Sequence, residues 1–424
     1  MMCGGSYATT ADAARVPPGE LKGCLSRAAS LYLLASITVS YLASSSAPTP
    51  LYPIYQAEWG FSATAISFLF GIYAIAVLGA LLVAGRLSDY VGRRPVLIVA
   101  TAIQAATMFL FAFADGLSDL IAARVIQGLA TGAAIAAVGA GMLDMDKARG
   151  AVANSVAPAG GTALGGIVAG LMVYYLPAPT HLVYFVLAAI FVAQVVGALF
   201  IPELLPPRAG AKASLRPRFS LPAATRQPIL LAAPVLIAVW ALAGFYGSLG
   251  PSLVRTSFGL DSSLAGGIAL FVLAGSGGTS VLLTQRLSAR TLMLYGPSVL
   301  LAGVGLALAS LSYHSATAFF LGTALAGSGF GTGFQGAIRT VVPLAAPQER
   351  GGVLSVIFVV SYLAMGLPAV IAGYFVVRSG DLFLTAWEFG AVVMALAALA
   401  LMGTLLRTSR QRIRQPSCTL INRR

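Results

Sequence analysis

Gly85-Arg86-Leu87-Ser88-Asp89-Tyr90-Val91-Gly92-Arg93-Arg94-Pro95 packs four of the chain's 39 charged residues into eleven positions. On either side lies an apolar run long enough to cross a bilayer. Charge this dense in a connection this short is expected at a membrane surface, held by partners. Gly85 and Gly92 permit a tight connection, and Pro95 can start a helix because its missing N–H would be unpaired there anyway. Asp89 is expected to accept from free backbone N–H groups at the start of a neighbouring helix. Arg93 and Arg94 can reach Asp144 or Asp146 further along. Such contacts would tie the two halves of the molecule together on one face and favour the state in which that face is closed. A plainer alternative is that the arginines only mark membrane topology.

The rest of the chain has membrane composition. Of its 424 residues 58% are hydrophobic and 9% charged, and the mean hydropathy is +0.88. That leaves too little polar surface to cover a soluble body of 43.4 kDa. Apolar runs of roughly 20 residues, the length that crosses about 30 Å of hydrocarbon, recur throughout. They read as spans near 29–50, 62–84, 96–114, 118–141, 151–175, 181–201, 228–250, 263–284, 292–312, 317–341, 352–376 and 384–406. Rich in Gly, Ala and Leu and too long for barrel strands, they are helices. The expectation is an all-α membrane protein of twelve transmembrane helices, and its 47 Gly suit close helix crossings.

Basic residues set the orientation. With twelve spans, both tails and the even-numbered connections share one side. That side takes three basic residues in the first tail, thirteen in the connections and six in the last tail, 22 of 26 in all. The other side has only Arg255 and Arg378. By the positive-inside rule both termini are cytoplasmic, in a multi-pass protein of the plasma (inner) membrane. Spread over short loops, the net charge of +13 suits anionic lipid headgroups rather than nucleic acid. No cleavable apolar leader is visible, and Cys3, Cys24 and Cys418 fall in the tails, where no disulfide is expected.

Arg86-Leu87-Ser88-Asp89 is echoed 200 residues later by Arg286-Leu287-Ser288-Ala289, and Ala148-Arg149-Gly150 by Glu349-Arg350-Gly351 at an offset of 201. The paired offsets point to two pseudo-symmetric six-helix halves, 29–201 and 228–406. They are joined by a Pro-containing cytoplasmic linker, 202–227, and flanked by tails at 1–28 and 407–424. Two such halves can rock about a central site.

Polar residues inside the spans are few. Arg124, about six positions into span 4, would cost roughly 2.5–3.5 kcal/mol facing lipid and should point into the bundle. Gln127 lies beside it. Arg339 and Gln335 form a second polar spot, which facing Arg124 and Gln127 across the centre would favour anions; snorkelling of Arg339 is the alternative. An arginine does not release its proton, so proton coupling needs a carboxylate, and Asp119 and Glu388 are the candidates. Three prolines in Pro48-Thr49-Pro50-Leu51-Tyr52-Pro53 break span 1 and leave carbonyls in need of partners. Tyr52 and Tyr55 there, with Trp240 and Tyr246 in span 7, could line an aromatic path for an amphiphilic solute; a rigid loop exit is the alternative. His181 and His314 form no cluster with other visible groups, so neither an enzyme nor a metal site is indicated. No cofactor is expected, and no filter-like repeat suggests a channel.

The segment 85–94 resembles the loop 2–3 signature of the major facilitator superfamily, G-x-L-(A/S)-D-x-x-G-(R/K)-(R/K). Arg124-Val125-Ile126-Gln127-Gly128 resembles its R-x-x-Q-G element. Gly161-Thr162-Ala163-Leu164-Gly165-Gly166 resembles the helix-five element G-P-x-x-G-G of its drug/proton antiporter branches, with Thr162 in place of the proline and Pro158 one turn earlier. The resemblance implies the major facilitator fold, and the loop's own chemistry makes Gly85, Asp89, Gly92, Arg93 and Arg94, with Asp144 and Asp146, the candidate conformational switch. The resemblance also implies coupling through Arg124, and close packing of helix five through Gly161, Gly165 and Gly166. The expected function is secondary transport of a small organic solute by alternating access, as proton-coupled export by a monomer. Alternatives are uptake of a small organic acid or sugar, and a non-transporting membrane receptor or interaction protein.

Overall fold

The computed structural model describes residues 25–203, 207–217, 221–259, 263–346 and 348–414. Cys3, Cys24, Cys418 and most of both expected tails lie outside these residues. Twelve long helices organise the described residues: α1 Arg27–Ser46, α2 Ala63–Ala84, α3 Arg93–Ala112, α4 Leu117–Met145, α5 Lys147–Tyr175, α6 Pro179–Ala198, α7 Ala223–Ser248, α8 Ser263–Leu283, α9 Ala289–Ser312, α10 Ala316–Val341, α11 Arg350–Ser379 and α12 Leu382–Arg414. Hydroxyl and carboxylate caps open several of them. Ser26 accepts from Ala29 N at 3.2 Å, Ser62 from Ala65 N at 3.3 Å, Ser288 from Thr291 N at 3.1 Å, and Asp146 from Ala148 N and Arg149 N, each at 2.9 Å.

Eleven of these helices are long and apolar enough to span a bilayer. The remaining one is α10, which the sequence reading also placed across the membrane. Its Gly, Ser and Thr lower its hydropathy because most of its surface meets protein, although Leu321 and Leu325 remain exposed. A Cβ built on Gly303 of α9 would lie 2.2 Å from Ala326 N of α10, and one on Gly329 of α10 would lie 2.5 Å from Leu300 N of α9. Backbones this close leave no room for a larger apolar residue, so the helix gives up hydropathy for contact.

Two separate apolar cores form, one from residues between Leu31 and Ile201 and one from residues between Ile229 and Ala400. Within the first, α1 packs on α4 and α5, α2 on α4, and α3 on α4 and α6. The same pairings recur six helices on, in α7 with α10 and α11, α8 with α10, and α9 with α10 and α12. These are two pseudo-symmetric six-helix bundles. They meet along α5 with α8 and α2 with α11. The ends of the helices near loop 85–95 form what is called here the basic face, and the other ends form the far face.

Candidate functional site

A cavity of about 450 Å³ lies between the bundles. At one end its lining includes Thr49 and Gly247; at the other it reaches Asn154 and Ser155, on the second turn or so of α5, and Gln335 and Arg339, in the last turns of α10. Three cross-bundle contacts close the far-face end. Thr49 Oγ1 donates to Gly247 O at 3.1 Å, and Thr64 Oγ1 to Gly373 O at 2.9 Å. At the third, α5 and α8 touch backbone to backbone, so that a Cβ on Gly267 would lie 2.4 Å from Gly166 O. With its far end sealed this way, the cavity opens toward the basic face. Six aromatic rings line it, those of Phe70, Tyr73, Trp240, Phe330, Phe334 and Tyr362. Trp240 stands edge-on to Phe330 and Phe334, with centroids at 5.7 and 5.4 Å. Among the described residues that line the cavity, Arg339 alone is charged.

Arg124 and Gln127 do not line it. Both are buried inside the first bundle, Arg124 at 1% exposure, and they do not face Arg339 and Gln335 across the centre as expected from the sequence. The reason lies in the prolines after α1. Pro48 has no N–H to donate to Ser44 O four residues before it, and the chain tightens into a 3-10 turn at Thr49–Leu51 before a short helix, Tyr52–Trp59. The carbonyls at the end of α1 therefore need other donors. Gln127 Nε2 donates to Ser44 O at 3.0 Å, and Arg124 Nη1 to Ser45 O at 3.0 Å and to Gln127 Oε1 at 2.8 Å. Arg124 Nε and Nη2 both reach the Tyr52 hydroxyl. The guanidinium lies 5.3 to 5.7 Å from the ring centroids of Tyr52, Tyr73 and Phe111. Tyr73 and Ser45 also line the cavity, so they stand between Arg124 and the space where a solute would sit.

Loop 85–95 is likewise built differently from the expectation. Asp89 does not cap the next helix; it pairs with Arg93, which also donates to Ser88 Oγ at 2.7 Å and to Asp144 at 3.2 Å. The α3 N-terminus is capped by Glu203, from the segment after α6, whose carboxylate accepts from Arg93 N at 3.1 Å and Arg94 N at 2.8 Å. Gly92, at φ +101°, makes room for it: a Cβ there would lie 2.6 Å from Glu203 Oε2. The ion pair and the cap join elements of the first bundle to each other, not one half to the other. Asp146 caps α5 and lies 4.0 Å from Arg149. Tyr90 O accepts from Arg208 N at 2.7 Å, which docks the start of the linker on the same loop. Glu203 was missed in the sequence because its partners are backbone groups 110 residues away. The only local signal was an acidic residue in an otherwise basic connection. Glu203→Gln is expected to cost about 1 kcal/mol, as for a lost helix cap, read as a lower thermal midpoint of the purified protein; an unchanged midpoint would remove this role.

The other residues singled out in the sequence are scattered. Tyr55 bonds Tyr184 hydroxyl to hydroxyl at 3.2 Å, and Tyr246 bonds Thr323 at 2.8 Å, both inside single bundles. Of the four aromatic candidates only Trp240 lines the cavity. Asp119 accepts from Asp115 N at 3.0 Å in the first turn of α4. Glu388 is exposed on the surface of α12. Gln335 accepts from Thr284 at 3.3 Å. Arg339 donates to the carbonyls of Gln285 and Leu287 at 2.9 and 3.1 Å, which fixes it beside the end of α8. Gly161 and Gly165 bring α5 onto α1: a Cβ on Gly165 would lie 2.2 Å from Ala43 O, and Ser46 Oγ donates to Thr162 O at 2.9 Å. Gly166 faces α8 instead.

Comparison with known proteins agrees with this architecture. Two solved structures overlay on 90% of the chain at low identity. One is the nucleoside transporter NupG, with TM-score 0.65, 14% identity and 99% of its own chain covered. The other is a bacterial homolog of the human lysosomal transporter Spinster in an inward-facing and unoccupied conformation, with TM-score 0.71, 12% identity and 98% covered. At such identities the likeness is one of fold. No curated protein matches the chain in sequence. The family model of the Major Facilitator Superfamily matches residues 34–369. The chain is therefore a membrane transporter, not an enzyme, and it belongs to the Major Facilitator Superfamily.

Proposed function

We propose that this transporter moves an amphiphilic organic anion by alternating access through the cavity between its bundles. One observation carries the reading: a space of about 450 Å³ walled by six aromatic rings, with Arg339 as the single charged lining residue among those described. Aromatic walls bind an apolar body of varied shape, and one guanidinium at the mouth favours a negative group. The carbonyls of Gln285 and Leu287 hold Arg339 in place but carry no formal charge to cancel it. Rocking of the bundles about this space would seal the basic face and open the far one.

Basic-residue asymmetry makes the basic face cytoplasmic in a plasma-membrane protein with both termini inside, so a cytoplasmic solute would load into the cavity in this state. Export is the direction this favours. Protons are a weaker choice of driving force than the resemblance in helix five implied. A coupling acid should face the cavity, and among the described residues no Asp or Glu lines it. Asp119 and Glu388 both lie elsewhere. Movement down the gradient of the anion, or exchange of one anion for another, fits the lining better, in a protein acting as a monomer.

Thermal stabilisation by 2-naphthalenesulfonate, set against 2-naphthyltrimethylammonium, a cation of nearly the same shape, tests the charge preference. The anion is expected to bind better by about tenfold, and Arg339→Gln to erase the difference. Equal binding of both probes by the unaltered protein would sink the anion reading. Accumulation in proteoliposomes driven by a pH gradient would restore proton coupling.

A further inference from the structure

A second, mainly apolar groove of about 490 Å³ lies between α5 and α8, with Leu164 and Phe271 on its walls. These two residues are 47% and 41% exposed, so the groove faces the bilayer. Its part of α5, Val156 to Leu164, begins nine residues after Lys147, roughly 14 Å along the helix and so well within the membrane. What separates it from the central cavity is slight. Gly278 borders both spaces, and a Cβ built on it would lie 2.9 Å from the Cβ of Ala159, which lines the cavity. One turn further, Gly275 faces Ala163 in the same way, at 3.9 Å. At these two levels the partition has no side chain larger than a methyl group.

We propose that the seam between α5 and α8 is a lateral portal through which an anionic amphiphile passes directly between the bilayer and the central cavity. The proposal rests on the carrier reading above and adds to it both a route and a class of cargo, one that partitions into lipid. Three features support it. Helices that meet through Gly and Ala can separate by a small rotation, because no interdigitated side chains need to be withdrawn. Pro158, in the cavity lining, leaves the carbonyl of Asn154 without its helical donor, so α5 yields most readily at this level. The two spaces also match in character. The groove is mainly apolar, the hydroxyls of Ser276 and Thr279 donating to carbonyls of their own helix at 2.6 and 2.8 Å, while the cavity adds Arg339 to aromatic walls, so an alkyl or aryl tail is accommodated along the whole path and the charged head at one end of it.

Gly160 offers a clean obstruction. It lines the groove, and a Cβ there would meet no atom within 4 Å, so a larger residue can fill the groove without disturbing the helix contact. Trp240 in the cavity is a built-in reporter once Trp59 and Trp387 are changed to Phe. In nanodiscs, 9,10-dibromostearate, an anionic amphiphile confined to the bilayer, is expected to quench Trp240. Gly160→Leu should slow that quenching about tenfold while leaving quenching by water-borne acrylamide unchanged; Leu164→Phe, which adds bulk from the lipid side, should act in the same direction. Dibromostearate quenching that is unaffected by both variants, slowed equally with that by acrylamide, or absent while acrylamide quenches would overturn the portal and leave the carrier reading intact. Quenching by neither agent would instead show the cavity closed to solutes and overturn the carrier reading itself, and the portal with it.

Discussion

Arg124→Lys is expected to lose transport by about tenfold or more and to lower thermal stability measurably, although it keeps the positive charge. The guanidinium is planar and donates in several directions at once, to the Tyr52 hydroxyl, Ser45 O and Gln127 Oε1. An ammonium is a point charge on a flexible stem and cannot span all three. Its partners would be left as buried polar groups with missing donors, at about 1–3 kcal/mol for each one unsatisfied. The loss would fall where the prolines have already stripped helical donors from the end of α1, just before the 3-10 turn that holds Thr49 of the far-face seal. Stability and turnover should therefore fall together. Thermal unfolding in detergent and proteoliposome flux measure the two, and a lysine variant that matched the unaltered protein in both would show that charge alone is needed. Arg124→Gln separates the terms further, since it gives up the charge and the stacking on three rings along with most of the donors.

The architecture was legible because membranes impose long apolar helices and the positive-inside bias marks every second connection. Even α10, the least hydropathic of the twelve, read as an apolar run of span length at 317–341. The arginine at 124 could be placed inside a bundle from cost alone, and the prolines near 50 announced carbonyls needing donors. What could not be read was that each feature answers the other. Ser44 and Ser45 lie about 80 residues from Gln127 and Arg124, and only the packing of α1 on α4 brings them together. The same holds for loop 85–95. Its charges were visible, but the cap on α3 comes from Glu203, and Asp89, freed from capping, turns to Arg93. In the echo at 286–289 the aspartate is Ala289, and there Ser288 does the capping of α9. A motif read alone assigns its carboxylate to the nearest free donors, whereas the fold supplied a better-placed acceptor. The cavity walls were the least legible part. Tyr73, Phe330, Phe334 and Tyr362 belong to three spans across both bundles and look, in sequence, like ordinary membrane aromatics.

Gly267→Leu is expected to move the conformational equilibrium rather than simply unfold the protein. Its Cβ would lie 2.4 Å from Gly166 O and 3.4 Å from Gly170 Cα, both on α5, so the added side chain must push the two bundles apart near the far face. Overpacking of this kind costs typically about 1–3 kcal/mol, and it burdens only the state in which that seam is closed. A difference of 1–3 kcal/mol between two states changes their ratio by roughly 5- to 150-fold. In a variant lacking the native cysteines, Thr49→Cys should then react faster with a membrane-impermeant maleimide applied from the far side. Asn154→Cys, toward the basic-face end of the same cavity, should react more slowly from its own side. The pairing of the two changes is what matters. If the bundles rock as rigid bodies, opening one face closes the other, and the two rates move in opposite directions by similar factors. Faster labelling at position 49 without protection at 154 would mean that the leucine only spreads one helix pair, and that the seam of α5 and α8 is packing without leverage on the cycle.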